Sequence, residues 1–136
     1  MAQIDIIESK VANTLIVEDD EFISMVLQRG FALKNINTYS AANGKIALDI
    51  LNDHPGITDV ILDLNMPVMD GYALLSCLNK EDRFKKLHVH ITSCNSHSAF
   101  MEYTRIRNIN ISLVKNFFLK PVAFHEILRA IGFVAA

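Results

Sequence analysis

Val60-Ile61-Leu62-Asp63-Leu64-Asn65-Met66-Pro67-Val68-Met69-Asp70-Gly71 is the stretch that decides how this chain is read. Val60, Ile61 and Leu62 are apolar without alternation, as in a parallel strand covered on both faces, whereas Asn65, Pro67, Asp70 and Gly71 are turn formers. Asp63 therefore stands where a strand ends and turn chemistry begins. In open α/β sheets ligands bind just outside the carboxyl ends of the strands, so a carboxylate there is placed for chemistry. Asp is also a common turn residue, and taken alone that reading carries equal weight.

Working back from this strand, Thr14-Leu15-Ile16-Val17 reads as another buried strand, stopping abruptly in Glu18-Asp19-Asp20-Glu21. Asp20 and Glu21 suit a helix amino terminus, where the macrodipole favours negative charge. Glu18 and Asp19 lie nearer the strand and are expected at the same sheet edge as Asp63. The helix that follows carries Phe22, Met25, Val26 and Leu33, read as its core face. The lead up to Asn13, with Ile6-Ile7 between Asp5 and Glu8, fits a loose terminus, a helical turn or an added contact equally well. Asn37 to Ala41 reads as a short strand, and Asn43-Gly44 opens a helix carrying Ile46, Ala47, Ile50 and Leu51, closed by Pro55 and Gly56.

Working forward, Asp70 is placed as the N-cap of a helix with Leu74, Leu75 and Leu78, which ends in the charged loop Glu81 to Lys86. Leu87 to Thr92 reads as a fourth strand whose His88 and His90 share a face. Histidines so spaced can bind a metal, but hydrogen-bonded or partly exposed structural histidines are the expectation. Thr92-Ser93 ends the strand with hydroxyls, and Ser96 or Ser98 caps a helix carrying Phe100, Tyr103 and Ile106. Asn108 to Lys115 is irregular. Asn116-Phe117-Phe118-Leu119 makes a fifth strand ending in Lys120-Pro121, and a last helix carries Phe124, Ile127, Leu128 and Ile131, with Gly132 near its end. Strands alternating with helices predict a parallel sheet with right-handed crossovers.

The composition agrees. At 136 residues, 51% hydrophobic and 21% charged, the chain suits one folded domain spanning 1–136, with residues 1–12 as a lead. A formal net charge of −2 with scattered Lys and Arg leaves no basic stripe for nucleic acid. Cys77 and Cys94 lack metal or CxxC spacing and are expected as free thiols. No apolar run approaches the ~20 residues that cross a bilayer, and no signal peptide is apparent, so a cytoplasmic location is expected.

Collected at the strand carboxyl ends are Glu18 and Asp19, then Asp63, then Thr92 with Ser93, then Lys120. Clustered acids repel one another unless a cation neutralises them, and oxygen ligands of this kind suit Mg²⁺. A carboxylate so held can attack phosphorus, with the metal, a hydroxyl and the lysine covering the phosphoryl oxygens.

LIVEDD, DLNMPVMDG, the Thr92-Ser93 strand end and LKP, in this order, resemble the receiver domains of two-component response regulators, including the single-domain chemotaxis regulator. The resemblance covers nearly the whole chain. It implies a doubly wound, flavodoxin-like (βα)5 fold with a five-stranded parallel sheet of order 2-1-3-4-5. It further implies Asp63 as phosphoacceptor for a histidine kinase or phosphotransfer protein, with Glu18, Asp19 and the Asn65 backbone carbonyl joining Asp63 around Mg²⁺. Thr92 is then the switch hydroxyl, Lys120 the phosphate-contacting lysine on a cis Lys120-Pro121 bond, and Phe117 the aromatic that changes rotamer. Family members often carry Tyr where Phe117 stands. Output is expected through the face made by the fourth helix, fifth strand and fifth helix, with no catalysis beyond the domain's own phosphotransfer and autodephosphorylation. Asn108 to Lys115 departs most from the pattern: it is a few residues longer than such connections and lacks a small-residue turn.

Three rival readings are weaker. A haloacid dehalogenase-type phosphohydrolase needs an acid two positions after its nucleophile, where this chain has Asn65. A flavodoxin-like cofactor binder needs a phosphate loop after the first strand, where Glu18 to Glu21 repel phosphate. A receiver-like binding module that is never phosphorylated sits poorly with an intact set of acids, hydroxyl and lysine.

Overall fold

The computed structural model describes residues 13–132, so the expectations for the lead lie outside the described residues. Strands and helices alternate: β1 (Asn13–Val17), α1 (Glu21–Leu33), β2 (Thr38–Ala41), α2 (Gly44–Asp53), β3 (Ile57–Asp63), α3 (Gly71–Asn79), a 3₁₀ turn (Asp82–Phe84), β4 (His88–Ser93), α4 (His97–Ile106), β5 (Val114–Leu119) and α5 (Phe124–Ala130). All strand pairs are parallel, in the order β2-β1-β3-β4-β5. This is the doubly wound, flavodoxin-like arrangement expected.

Both faces of the sheet are covered, which is why the central strands are continuously apolar. Leu15, Val17, Val60, Leu62, Val89 and Ile91 pack with Ala47 and Leu51 of α2, Leu74, Leu75 and Leu78 of α3, and Phe100 of α4. Ile16 and Ile61 point the other way, onto Phe31 of α1 and Ile127 and Leu128 of α5. Each such side chain taken from water contributes roughly 1.5–3 kcal/mol. Four helices start where the sequence places them, because Asp20, Asn43, Asp70 and Ser96 each accept the backbone N–H three residues on. Each cap is worth about 1 kcal/mol.

The orientation of α1 corrects the sequence reading. Phe22, Met25, Val26 and Leu33 are exposed, Phe22 by 69% and Leu33 by 84%, while Ser24, Leu27 and Phe31 face the protein. The helix is apolar on both sides, and α5 selects between them. Phe124 lies so close over Gly30 that a Cβ there would come within 2.8 Å of its ring, and its ring meets Phe31 edge-on at 5.0 Å. In α4, Ile106 is likewise 64% exposed rather than core.

The irregular segment before β5 is packed. Asn108, at φ 55, makes the left-handed turn that a small residue would otherwise make, and the Ile109 N–H donates to the Thr104 carbonyl. Leu113 is buried, with Ile109 and Ile111 against the same core. Asn79 at the end of α3 donates to the carbonyls of Leu75 and Asn110, fastening the segment across the helix layer. Strand β5 begins at Val114, earlier than read, and Lys115 is the extra residue of a bulge, since Val89 pairs with Val114 but His90 with Asn116.

His88 and His90 take the structural reading. Asn116 Nδ2 donates to His90 Nδ1 at 3.0 Å, which places the ring proton on Nε2, where it is donated to Asp59 Oδ1 at 2.8 Å. Thr58 Oγ1 donates to the other oxygen of Asp59, and the exposed His88 lies 3.8 Å from that carboxylate. Cys77 and Cys94 are free, and among the described residues no helix is long and apolar enough to cross a membrane.

Candidate functional site

The strand ends β1, β3, β4 and β5 meet along one edge. Glu18 follows β1 directly, its N–H donating to the Ala41 carbonyl so that the pairing with β2 runs one residue past the strand. Asp63 is the last residue of β3, and register sets it beside Thr92 of β4. Glu18, Asp63 and Thr92 are buried, whereas Asp19 is exposed. One oxygen from each of Glu18, Asp19 and Asp63 falls within 4.8 Å of the others. Lys120 arrives from the far strand. Its N–H donates to the Ser93 carbonyl at 2.7 Å, the following peptide to Pro121 is cis as expected, and its ammonium lies 2.8 Å from Glu18 Oε1 and 3.5 Å from Asp63 Oδ1.

The electrostatics follow from this crowding. Burial first, and the charge of Glu18 second, push the Asp63 carboxyl up to about 6, against the pull of Lys120 and of the Asn65 backbone. Burial lowers Lys120, but Glu18 and Asp63 more than offset it and hold the ammonium above its ordinary range. One ammonium does not neutralise three carboxylates. An all-oxygen cluster with charge to spare fits a hard divalent cation such as Mg²⁺.

The other residues singled out from sequence sit close by. Asn65 opens the loop after β3 and is exposed. Phe117 lies one rung back from Thr92, beside Ile91, half-buried with its ring 5.2 Å from His97 and 5.4 Å from Phe100. A further feature went unread in the sequence. A cavity of about 520 Å³ between α1 and α5 is lined by Phe22, Val26 and Leu27 facing Phe124 and Ile127, and reaches Glu18 and Lys120. Its signal in the sequence is the excess of apolar residues on α1, more than one buried face uses.

Fold and site together define an α/β module of doubly wound topology with an acidic, lysine-flanked cluster at its strand ends. Residues 14–132 match the family model for the response regulator receiver domain, and the chain belongs to that family, the receiver domains of two-component signalling. The two-component response regulator ORR5 of Oryza sativa is 29% identical, over 86% of this chain and 84% of that protein. A chain of the CheX–CheY–BeF3–Mg²⁺ complex from Borrelia burgdorferi is 29% identical, with a TM-score of 0.75 and coverage of 93% of each chain. CheY4 of Vibrio cholerae shares the fold at 18% identity, with a TM-score of 0.77 over 92% of this chain and 99% of that one.

Proposed function

We propose that Asp63 accepts a phosphoryl group from a histidine kinase or phosphotransfer protein, with Mg²⁺ held by Glu18, Asp19, Asp63 and the backbone carbonyl of Asn65. The observation that carries this is the shared ammonium: Lys120 lies against both Glu18 and Asp63, inside a cluster of acids that burial alone makes costly. The Borrelia protein of similar sequence was crystallised with BeF3 and Mg²⁺, which supports the same ligands here.

An Asp63 carboxylate oxygen attacks the phosphorus of a phosphohistidine. As the O–P bond forms the P–N bond breaks, and the imidazole leaves with the electron pair and takes up a proton. Lys120 and the Thr92 hydroxyl bind phosphoryl oxygens, offsetting charge that grows in the transition state. Mg²⁺ held by Glu18, Asp19 and Asp63 would neutralise the carboxylates and the incoming phosphoryl oxygens. Beyond forming and hydrolysing its own aspartyl phosphate, the domain performs no catalysis. With Thr92 drawn to the phosphoryl group, Phe117 turns and a pre-existing equilibrium shifts.

The donor docks on α1. Phe22, Met25 and Val26 are exposed apolar side chains beside the acids, and a helical surface carrying the phosphohistidine covers them as it delivers the phosphoryl group. Output passes through α4, β5 and α5, where Met101, Ile106 and Leu119 are exposed. The setting is cytoplasmic. Acetyl phosphate with Mg²⁺ tests the assignment: one phosphoryl group is expected by mass spectrometry, absent in Asp63→Asn and in the Glu18→Ala, Asp19→Ala double variant. The same label on Asp63→Asn refutes it.

A further inference from the structure

The loop after Asp63 holds a shape that its own sequence resists. Val68, branched at Cβ and exposed, has φ 69, and the Met69 N–H donates to the Pro67 carbonyl at 2.8 Å. That closes a γ-turn of the positive-φ hand, the strained one, around a residue type that ordinarily avoids it. Such strain persists only where the surroundings impose it.

Two braces impose it. At the base, the Gly71 N–H donates to the Leu64 carbonyl at 3.0 Å, and a Cβ on Gly71 would come within 2.6 Å of the Asp63 carbonyl. On the far side, the brace comes from α2. The Gly44 N–H donates to the Met69 carbonyl at 2.8 Å, directly after the strained residue, and Gly44 is buried. A Cβ on Gly44 would sit 2.7 Å from Met69 Cγ and 2.9 Å from the Met69 carbonyl oxygen, so the loop approaches as closely as only glycine allows. The Asn43 side chain accepts the Ile46 N–H, fixing where the helix starts and where the Gly44 N–H points.

Between the braces lies Asn65, two residues past Asp63 in the same loop, and its backbone draws the Asp63 carboxyl down. We infer that Gly44 is a positioning residue for the acid site: the Gly44–Met69 hydrogen bond holds the Val68 turn, and the turn sets the Asn65 backbone beside Asp63. In its metal-binding consequence the inference rests on the function proposed above. The start of α2, which contributes no side chain to the site, thereby becomes part of its support.

Three variants test it: Gly44→Ala, Gly44→Ala with Met69→Ala, and Val68→Gly. Gly44→Ala is expected to weaken Mg²⁺ binding by about tenfold, as loss of outer support does at metal sites. The double variant, freed of the Met69 Cγ contact, recovers part of it. Val68→Gly keeps the turn, since both braces remain and glycine takes a positive φ without strain, so its melting temperature holds or rises and Mg²⁺ binding stays at the wild-type level. The Asn65 amide resonance of the metal-free protein supplies a reading that needs neither metal nor phosphate, and it is expected to move in Gly44→Ala and to return part of the way in the double variant. A wild-type protein that neither binds Mg²⁺ nor takes label overturns the Asp63 assignment and leaves the amide test standing. An unchanged Asn65 resonance in Gly44→Ala, or Mg²⁺ affinity there equal to that of a binding wild type, overturns the positioning role. Where Gly44→Ala fails to fold, the double variant, whose added Cβ still meets the Met69 carbonyl oxygen, gives the same reading.

Discussion

Lys120 sits closer to Glu18, at 2.8 Å, than to Asp63, at 3.5 Å. The ammonium is therefore held chiefly by Glu18, one of the acids proposed to hold Mg²⁺, and a cation bound there would free it toward a phosphoryl group on Asp63. Lys120→Ala removes a positive charge from beside the cation, so Mg²⁺ is expected to bind more tightly. The same variant loses a donor to the transition state, so labelling by acetyl phosphate slows, on the order of 100-fold. Calorimetry and timed mass spectrometry read the two effects, and a fall in both contradicts the placement of Lys120.

A pH dependence follows from the carboxyl of Asp63, which crowding pushes up to about 6 from 3.8. The folded metal-free domain binds this proton more tightly than the unfolded chain does. Its contribution is thus complete below about pH 4 and lost as pH rises toward 6 and beyond, a penalty of up to about 3 kcal/mol at neutral pH. Asp63→Asn is expected to raise the melting temperature without metal at pH 7.5, by a margin that shrinks toward pH 4. Mg²⁺ competes with the same proton, so its affinity falls below about pH 6. A margin independent of pH counts against the raised carboxyl.

The exposed side of α1 separates docking from chemistry. Met25→Ser with Val26→Ser alters side chains outside the packed core and is expected to cost under about 1 kcal/mol. Labelling by acetyl phosphate stays at the wild-type rate, whereas transfer from a phosphorylated histidine donor slows at least tenfold. Equal transfer rates with the donor show that α1 is not the docking face.

How far the sequence reaches is clearest at α1 and β5. The strand ends were legible because a buried parallel strand reads as an apolar run and its end as a change of chemistry, and the acids, hydroxyl and lysine fall on those ends. Helix caps were legible because Asp20, Asn43, Asp70 and Ser96 act within one turn. The buried side of α1 was not, since Phe22 and Phe31 are equally apolar and only the distant Phe124, lying over Gly30, selects between them. Nor was the start of β5, which depends on a bulge and on pairing with β4 rather than on local pattern.

The polar group on the other half of β4 answers to stability alone. Asp59→Ala leaves the His90 Nε2–H buried without its acceptor and is expected to cost about 1–3 kcal/mol in urea denaturation. Replacing both residues, as Asp59→Leu with His90→Leu, removes this donor and acceptor together but also breaks the bonds that the part-buried Asn116 Nδ2 and Thr58 Oγ1 make to them, and so recovers part of that loss. Acetyl phosphate labelling stays intact in the double variant. A double variant less stable than Asp59→Ala argues that the pair does more than satisfy itself.

The segment from Asn108 to Lys115 borders the face proposed for output, and its packing decides how its role is tested. Leu113 is buried and Ile109 and Ile111 lie against the core, so removing the whole segment would strip apolar cover and confound binding with stability. Asn110 and Ser112 are exposed, and the Asn110 carbonyl is tied to Asn79 of α3. Asn79→Ala keeps the apolar anchors and releases the tether, and Ser112→Lys changes the surface and a long 3.5 Å contact to Asn79 Oδ1 while leaving the Asn79–Asn110 bond in place. If the segment shapes partner choice, Ser112→Lys weakens the downstream partner about tenfold while Asp63 labelling and stability hold, and Asn79→Ala weakens it less, through disorder alone. Downstream affinity at the wild-type level in both variants shows the segment to be a tolerated elongation whose apolar residues serve the core.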